Sequence, residues 1–265
     1  MKTFIRFSLF IFISLFTTSI YAKKIVTEVV DYKWQNKVYK GFIAKPQKVT
    51  KATPAILVVH EWWGQTDYPR RRASQLAEMG YIAMAVDMYG NGAIADHPQT
   101  AGEFTKKVMS DSKNVLGIFN AALSTLRKVK GVDANKIAAI GYCFGGSVVQ
   151  EIAKQGVDLK GVVSFHGGLV TPTSVRKGQV KAQMLILNGK SDSMVSQESI
   201  DSFKKQMSAA GVKYEFINYE NALHGFTNSE ATAKGKKFNI PIAYNKKADI
   251  QSWQKLTSFL QRIFK

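Results

Sequence analysis

The sequence predicts an α/β fold, a largely parallel sheet with helices on both of its faces, and three observations predict it. Short apolar runs alternate with amphipathic helical stretches through most of the 265 residues, the pattern of strand–helix–strand units. Some of these runs, such as Ala55-Ile56-Leu57-Val58-Val59, are apolar without interruption, as strands buried on both faces are. One strand also enters a helix through the glycine turn Gly141-Tyr142-Cys143-Phe144-Gly145-Gly146. Its G-x-C-x-G spacing is that of a nucleophile elbow, whose strained turn needs small neighbours two residues either side.

Taken in order, Ile25–Trp34 and Val38–Ala44 alternate apolar and polar residues around Gln35-Asn36, which reads as an edge hairpin. Pro54 opens the strand Ala55–Val59, which ends in His60-Glu61-Trp62-Trp63-Gly64. A helix follows over Arg70–Met79 with Gly80 as its stop, then the strand Tyr81–Val86 and the loop Asp87-Met88-Tyr89-Gly90. Asn91–His97 has no regular pattern and is expected to form a rim or lid. A long helical pattern covers Pro98–Lys130, with Ser110-Asp111-Ser112 as the place for a break. Lys136–Ile140 is the strand before the elbow, and Ser147–Lys154 is the helix after it, stopping at Gly156. Gly161–His166, Gln183–Asn188 and Tyr214–Tyr219 are the later strands. Helices are expected over Ser196–Ala210, before Gly211, and over Tyr244–Phe264. Ligands in such sheets sit beyond the carboxyl ends of the strands, where Glu61, Cys143, His166, Asp192 and His224 all fall.

The first 22 residues stand apart. A basic start with Lys2 and Arg6, an apolar run from Phe7 to Phe16, and Ala22 before Lys23-Lys24 read as a secretory signal peptide. This implies a periplasmic or secreted protein whose only membrane association is through that segment, with residues 23–265 as one domain. The formal net charge is +18, and loss of the segment lowers it by two. The lysines are scattered, and the clusters Pro69-Arg70-Arg71-Arg72 and Lys234-Gly235-Lys236-Lys237 read as solvated surface. No nucleic-acid partner is expected. With four histidines, one cysteine and no H-x-x-x-H spacing, neither a metal site nor a cofactor is expected. Monomer and homodimer both remain open.

Cys143 is the one cysteine, and a lone thiol in an exported chain cannot close an internal disulfide. It reacts as thiolate, so it needs a base and a group that orients the base. Asn188-Gly189-Lys190-Ser191-Asp192 brings an acid to the end of one strand, and Asn221-Ala222-Leu223-His224-Gly225-Phe226 brings a histidine to the end of the next. Cys143, Asp192, His224 is the nucleophile–acid–histidine order of α/β-hydrolases. The backbone N–H groups of Phe144 and Trp62 fall where an oxyanion hole is built. His60 and His166 read as buried hydrogen-bonding groups. Trp63, Tyr89, His166 and Phe226 are expected to line the substrate pocket, and Trp62, Trp63 and Glu61 to shield the thiol.

These motifs together resemble the dienelactone hydrolase family. The resemblance spans nearly all of the chain after the signal and implies an α/β-hydrolase fold with an eight-stranded, mostly parallel sheet. It implies Cys143 as nucleophile, His224 as base, Asp192 as the group orienting it, and Glu61 as a carboxylate contacting the resting thiol. Two departures stand out. Arginines that hold the substrate carboxylate in dienelactone hydrolases are not matched: Gly90 follows Asp87-Met88-Tyr89, and Thr227-Asn228 follow Phe226. The expected activity is therefore hydrolysis of small esters or lactones through an acyl-thioenzyme. The alternative is a non-catalytic hydrolase-fold protein that binds a small ligand or senses oxidants through its thiol.

Overall fold

The computed structural model describes residues 24–49 and 52–265, so the segment read as a signal peptide lies outside the described residues. In chain order the elements are β1 (Ile25–Trp34), β2 (Lys37–Pro46), β3 (Thr53–Val59), α1 (Asp67–Glu78), β4 (Ile82–Val86), α2 (Pro98–Met109), α3 (Ser112–Arg127) and β5 (Val132–Tyr142). They continue with α4 (Phe144–Lys154), β6 (Gly161–Phe165), β7 (Gln183–Gly189), α5 (Gln197–Ala209), β8 (Tyr214–Tyr219), α6 (Ala231–Phe238) and α7 (Lys246–Ile263). The strands form one eight-stranded sheet in the order β1-β2-β4-β3-β5-β6-β7-β8. The β1–β2 hairpin joins β4 antiparallel, and every later pairing is parallel.

The central strands show why uninterrupted apolar runs mark this kind of sheet. Ala55, Leu57 and Val59 of β3 pack on one face with α3, α4 and α5, while Ile56 and Val58 pack on the other with α1 and α7. Side chains alternate across a strand, so a strand covered on both sides is apolar at every position. Each Leu, Ile or Val side chain among them contributes about 1.5–3 kcal/mol by leaving water.

The break expected at Ser110-Asp111-Ser112 is there: the long helical stretch is two helices, because Asp111 leaves the helix and its carboxylate caps α3, accepting from Lys113 N at 2.9 Å. Elsewhere the structure departs from the sequence reading. β5 begins at Val132, four residues earlier than its apolar run. Helix α6 was not expected: it is lysine-rich and short, and tertiary contact fixes it, since a Cβ on Gly235 would lie 2.3 Å from Ile242 O. The cluster at Arg70–Arg72 is not all solvated surface. Arg72 is buried and ion-paired with Asp249 of α7; a guanidinium with several acceptors can be buried at a position where a lysine would be more exposed.

Candidate active site

β5 delivers Cys143 to a turn that only a few contacts make feasible. Cys143 sits at φ 54°, ψ −117°, a costly conformation for a residue with a side chain. The glycines around it are required by space. A Cβ on Gly141 would come within 2.0 Å of Gly145 O, and one on Gly145 within 2.3 Å of Val59 O. Gly145 N donates to His60 O at 3.0 Å, so the elbow is stitched to the end of β3. The Cys143 N–H is shared between Phe165 O at 3.0 Å and His166 Nδ1 at 3.1 Å.

The loops after β7 and β8 bring the acid and the base together. Asp192 Oδ2 lies 2.8 Å from His224 Nδ1. The two loops touch through Ser191 N and Ala222 O at 3.0 Å, an approach that Gly189 permits because a Cβ there would sit 2.4 Å from Ala222 O. Burial works against the His224 imidazolium. Negative charge on the Cys143 sulfur and on the Asp192 carboxylate outweighs it and holds the His224 pKa well above the ordinary value. His224 Nε2 makes no well-formed hydrogen bond among the described residues. The imidazole thus feels the thiol without being locked to it, a common state of catalytic pairs before substrate binds.

Glu61 is 5 % exposed and its Oε2 accepts from Asn228 Nδ2 at 2.7 Å. Burial raises its pKa, partly countered by that hydrogen bond. Among the described residues its carboxylate has no hydrogen bond to Cys143, the contact that the resemblance implied. His60, kept neutral by burial, has its Nδ1 2.5 Å from Glu61 O and accepts from Met88 N at 3.1 Å. It thereby fixes the peptide that precedes Trp62. Tyr89 OH donates to Trp62 O at 2.9 Å. The Trp62 N–H takes no part in the turn, which Gly64 N closes on to Glu61 O. The Phe144 N–H opens α4, where a helix has no internal acceptor to offer.

A cavity of about 590 Å³ lies above these groups, lined by Trp62, Cys143, Phe144, Met109, Val170 and Met194 and joined by Thr105, Ser147, Gly168, Thr171, Pro172 and His224. Cys143 is half-buried at its floor. The four side chains expected to line it are behind it instead. Trp63 packs against Phe238, and Tyr89 is wedged between His60 and Phe144. His166 and Phe226 are fully buried beneath the elbow. Of the three side chains expected to shield the thiol, only Trp62 is in the cavity wall. The 91–97 segment is no lid, since none of its residues lines the cavity; Ala95 N is bonded to Trp63 O at 2.9 Å. The residues that α2, the loop after β6 and the loop after β7 contribute were not visible as pocket residues in sequence, because nothing local marks a side chain that meets a cavity only through tertiary packing. Thr227 and Asn228 were noted there only for not being arginine.

The dienelactone hydrolase family model matches residues 39–264. A Salmonella typhimurium protein named "Putative carboxymethylenebutenolidase" is 29% identical over 198 residues, covering 70% of this chain and 72% of its own. The solved structure "m3DLH" superposes with a TM-score of 0.85 at 29% identity, covering 91% of this chain and 99% of that one. A dienelactone hydrolase-like promiscuous phosphotriesterase from metagenomic libraries gives 0.82 at 26% identity, with 90% and 98% covered. With the eight-stranded sheet, the elbow and the strand-end loops already in place, the match over most of the chain is decisive: the protein belongs to the dienelactone hydrolase family and is a hydrolase.

Proposed function

We propose that the protein is a cysteine hydrolase of small, uncharged esters or lactones, working through an acyl-thioenzyme. The observation that carries this is the meeting of Cys143 and His224 in one cavity wall, with Asp192 2.8 Å behind the imidazole. His224 holds the proton given up by the thiol as Sγ adds to the substrate carbonyl, and Asp192 stabilises that imidazolium. The oxyanion lies between the N–H groups of Phe144 and Trp62, donors of a kind worth about 3–4 kcal/mol each. Collapse of the tetrahedral adduct breaks the C–O bond, and the alkoxide leaves with the imidazolium proton. Water then gives a proton to His224 and its hydroxyl to the thioester, which releases the acid and restores the thiol.

The cavity wall supports an uncharged substrate class. Among the described residues it holds no ionisable side chain beyond His224 and the nucleophile itself, so nothing there offsets the desolvation of a substrate carboxylate. The name carboxymethylenebutenolidase, borne by a relative, describes a substrate with a carboxymethylene group, and this wall favours a substrate without that charge. We further propose, from residues 1–22 read as a signal, that the hydrolase works outside the cytosol.

The test is hydrolysis of short aryl esters and simple lactones by the mature protein beside Cys143→Ala and Cys143→Ser. Turnover in the wild type and none in the alanine variant supports the reading. Equal turnover in both, or none in a folded wild type on any ester, refutes it.

A further inference from the structure

His166 is a buried histidine that the chemistry above does not use. It sits at φ 40° directly after β6, a left-handed conformation that costs free energy for a residue other than glycine. It is fully buried, with its ring 5.2 Å from that of His224 and 5.1 Å from that of Phe226. One of its nitrogens takes the N–H of the nucleophile, Cys143, at 3.1 Å. The other lies 2.7 Å from Thr227 Oγ1. These partners fix the tautomer: Nδ1 is the acceptor and Nε2 carries the proton.

From Thr227 the chain of hydrogen bonds continues into the body of the protein. Tyr68 OH of α1 donates to Thr227 Oγ1 at 2.6 Å and accepts from Arg72 Nε at 3.2 Å. Arg72 Nη2 donates to Thr227 O at 2.8 Å and also binds Asp249 of α7. Arg72 therefore holds both ends of Thr227, its carbonyl directly and its hydroxyl through Tyr68. Thr227 is three residues beyond His224, so one ion pair, its Arg72 buried and its Asp249 partly so, braces both the elbow and the loop that carries the base.

We propose that His166 is a positioning residue for Cys143, a neutral imidazole that pins the strained nucleophile peptide to the Thr227–Tyr68–Arg72–Asp249 network. Resting on the cysteine-hydrolase reading, this adds a fourth side chain to the machinery. Cys143 N–H already has one acceptor in Phe165 O; the second, from a side chain anchored elsewhere, removes the freedom of the peptide to rock about the first. Burial, then the neighbouring His224 and the Arg72 cation, disfavour the imidazolium. A protonated ring would turn an N–H toward the Cys143 N–H and undo the contact. Catalytic geometry is sensitive on this scale, with a misplacement of about 1 Å costing on the order of a hundredfold.

Three variants of the full chain test it: His166→Leu, His166→Asn and Thr227→Val. The asparagine Oδ1 can occupy the place of Nδ1 as acceptor; leucine cannot. Each is read by kcat and KM on an aryl ester and by the rate at which iodoacetamide alkylates Cys143, with folding checked by circular dichroism. His166→Leu should lose about 100-fold in kcat at nearly constant KM and alkylate at least tenfold more slowly, and His166→Asn should recover at least tenfold of both. Leucine and asparagine variants that are equally slow would overturn the proposal, since packing alone would then explain the site. Wild-type rates in His166→Leu would overturn it too. If the leucine variant does not fold, Thr227→Val decides, because the ring stays and loses only its anchor: slowed alkylation supports the proposal and an unchanged rate refutes it. If the wild type hydrolyses nothing, the cysteine-hydrolase reading fails while alkylation still decides this one.

Discussion

Gly145→Ala is the sharpest test of how the elbow is built. Gly145 is the second residue of α4, where alanine would ordinarily stabilise the helix by up to about 1 kcal/mol. Here the new methyl would lie 2.3 Å from Val59 O, 2.6 Å from Val59 C and 2.7 Å from His60 O. All three are backbone atoms of a central strand and its exit, so no side chain can swing aside. Ordinary contact requires a retreat of about 1 Å, and it is imposed on the segment that carries Glu61 and Trp62 and that accepts the Gly145 N–H through His60 O. The Phe144 and Trp62 N–H groups would then separate from each other. Loss of one such donor alone costs on the order of 10²–10³ in kcat, so a fall of at least 100-fold in ester hydrolysis is expected. Gly102→Ala is the control: it lies in α2, its added Cβ meets nothing within 4 Å, and it should raise Tm by about 2–4 °C per kcal/mol gained with turnover unchanged. Gly145→Ala with kcat/KM within threefold of wild type would refute the claim that this glycine exists for close backbone approach.

Asp192→Asn should lower kcat by about 10³–10⁴, because the amide cannot enforce the tautomer or stabilise the imidazolium; a loss under tenfold on aryl esters would remove Asp192 from the triad. His224 has a folded pKa above its unfolded value, so the folded state binds the extra proton and the stabilisation is full below about pH 6.5. It is lost as pH rises through the folded pKa, and the melting difference between wild type and His224→Gln should shrink over that alkaline range; a difference that grows with pH contradicts the sign. For Glu61 burial raises the pKa, so its charge costs stability once ionised. Glu61→Gln, which keeps an acceptor for Asn228, should raise Tm at pH 8 and lose that advantage toward pH 4, checked by thermal melts. Met194→Arg places a cation at the cavity wall and should favour a carboxylate-bearing aryl ester over its neutral analogue by about two- to fivefold in kcat/KM, the scale of a partly exposed ion pair.

The parts of this protein that could be read from its sequence are those where one short stretch must satisfy its own physics. Gly141 and Gly145 are legible because the turn between β5 and α4 leaves no room for a Cβ, and that constraint is written in adjacent letters. Asp192 and His224 are legible because strand ends point at the same edge of the sheet. The cavity wall was not, since Met109, Val170 and Met194 come from three separate loops or helices and carry no local sign of meeting. Tyr89 and Phe226 looked like pocket residues for the same reason that they are core: aromatic side chains next to a site are as useful behind it as in it. Arg72 was hidden by its neighbours. It stands in a run of three arginines, and only the helical turn of α1 separates the buried one from Arg71, which is about half exposed.

Backbone strain links the elbow to the residues beneath it. Among the residues with positive φ, Gln35 turns a hairpin, Ala52 lies in the turn into β3, and Asn91, Asn221 and Asn239 have the side chain that best tolerates that region. Cys143 has no such excuse, and His166, of a type found there more often than most, holds that conformation while fully buried. They follow neighbouring strands, β5 and β6, and they are hydrogen-bonded to each other. Strain of about 1–3 kcal/mol at each persists only where the surroundings over-determine it. For Cys143 the surroundings are Gly145, Phe165 and His166; for His166 they are Leu187 O at 2.8 Å on its own N–H and Thr227 on its ring. The two costs are thus met by one shared network. Relaxing His166 should release Cys143 as well, so the stability effects of His166→Leu and Cys143→Gly, which removes the strain at the elbow, should depart from additivity by more than the ~0.5 kcal/mol expected of independent sites. Denaturant melts of the two single variants and the double variant measure that coupling, and strictly additive effects would show that the two strained residues sit side by side without depending on one another.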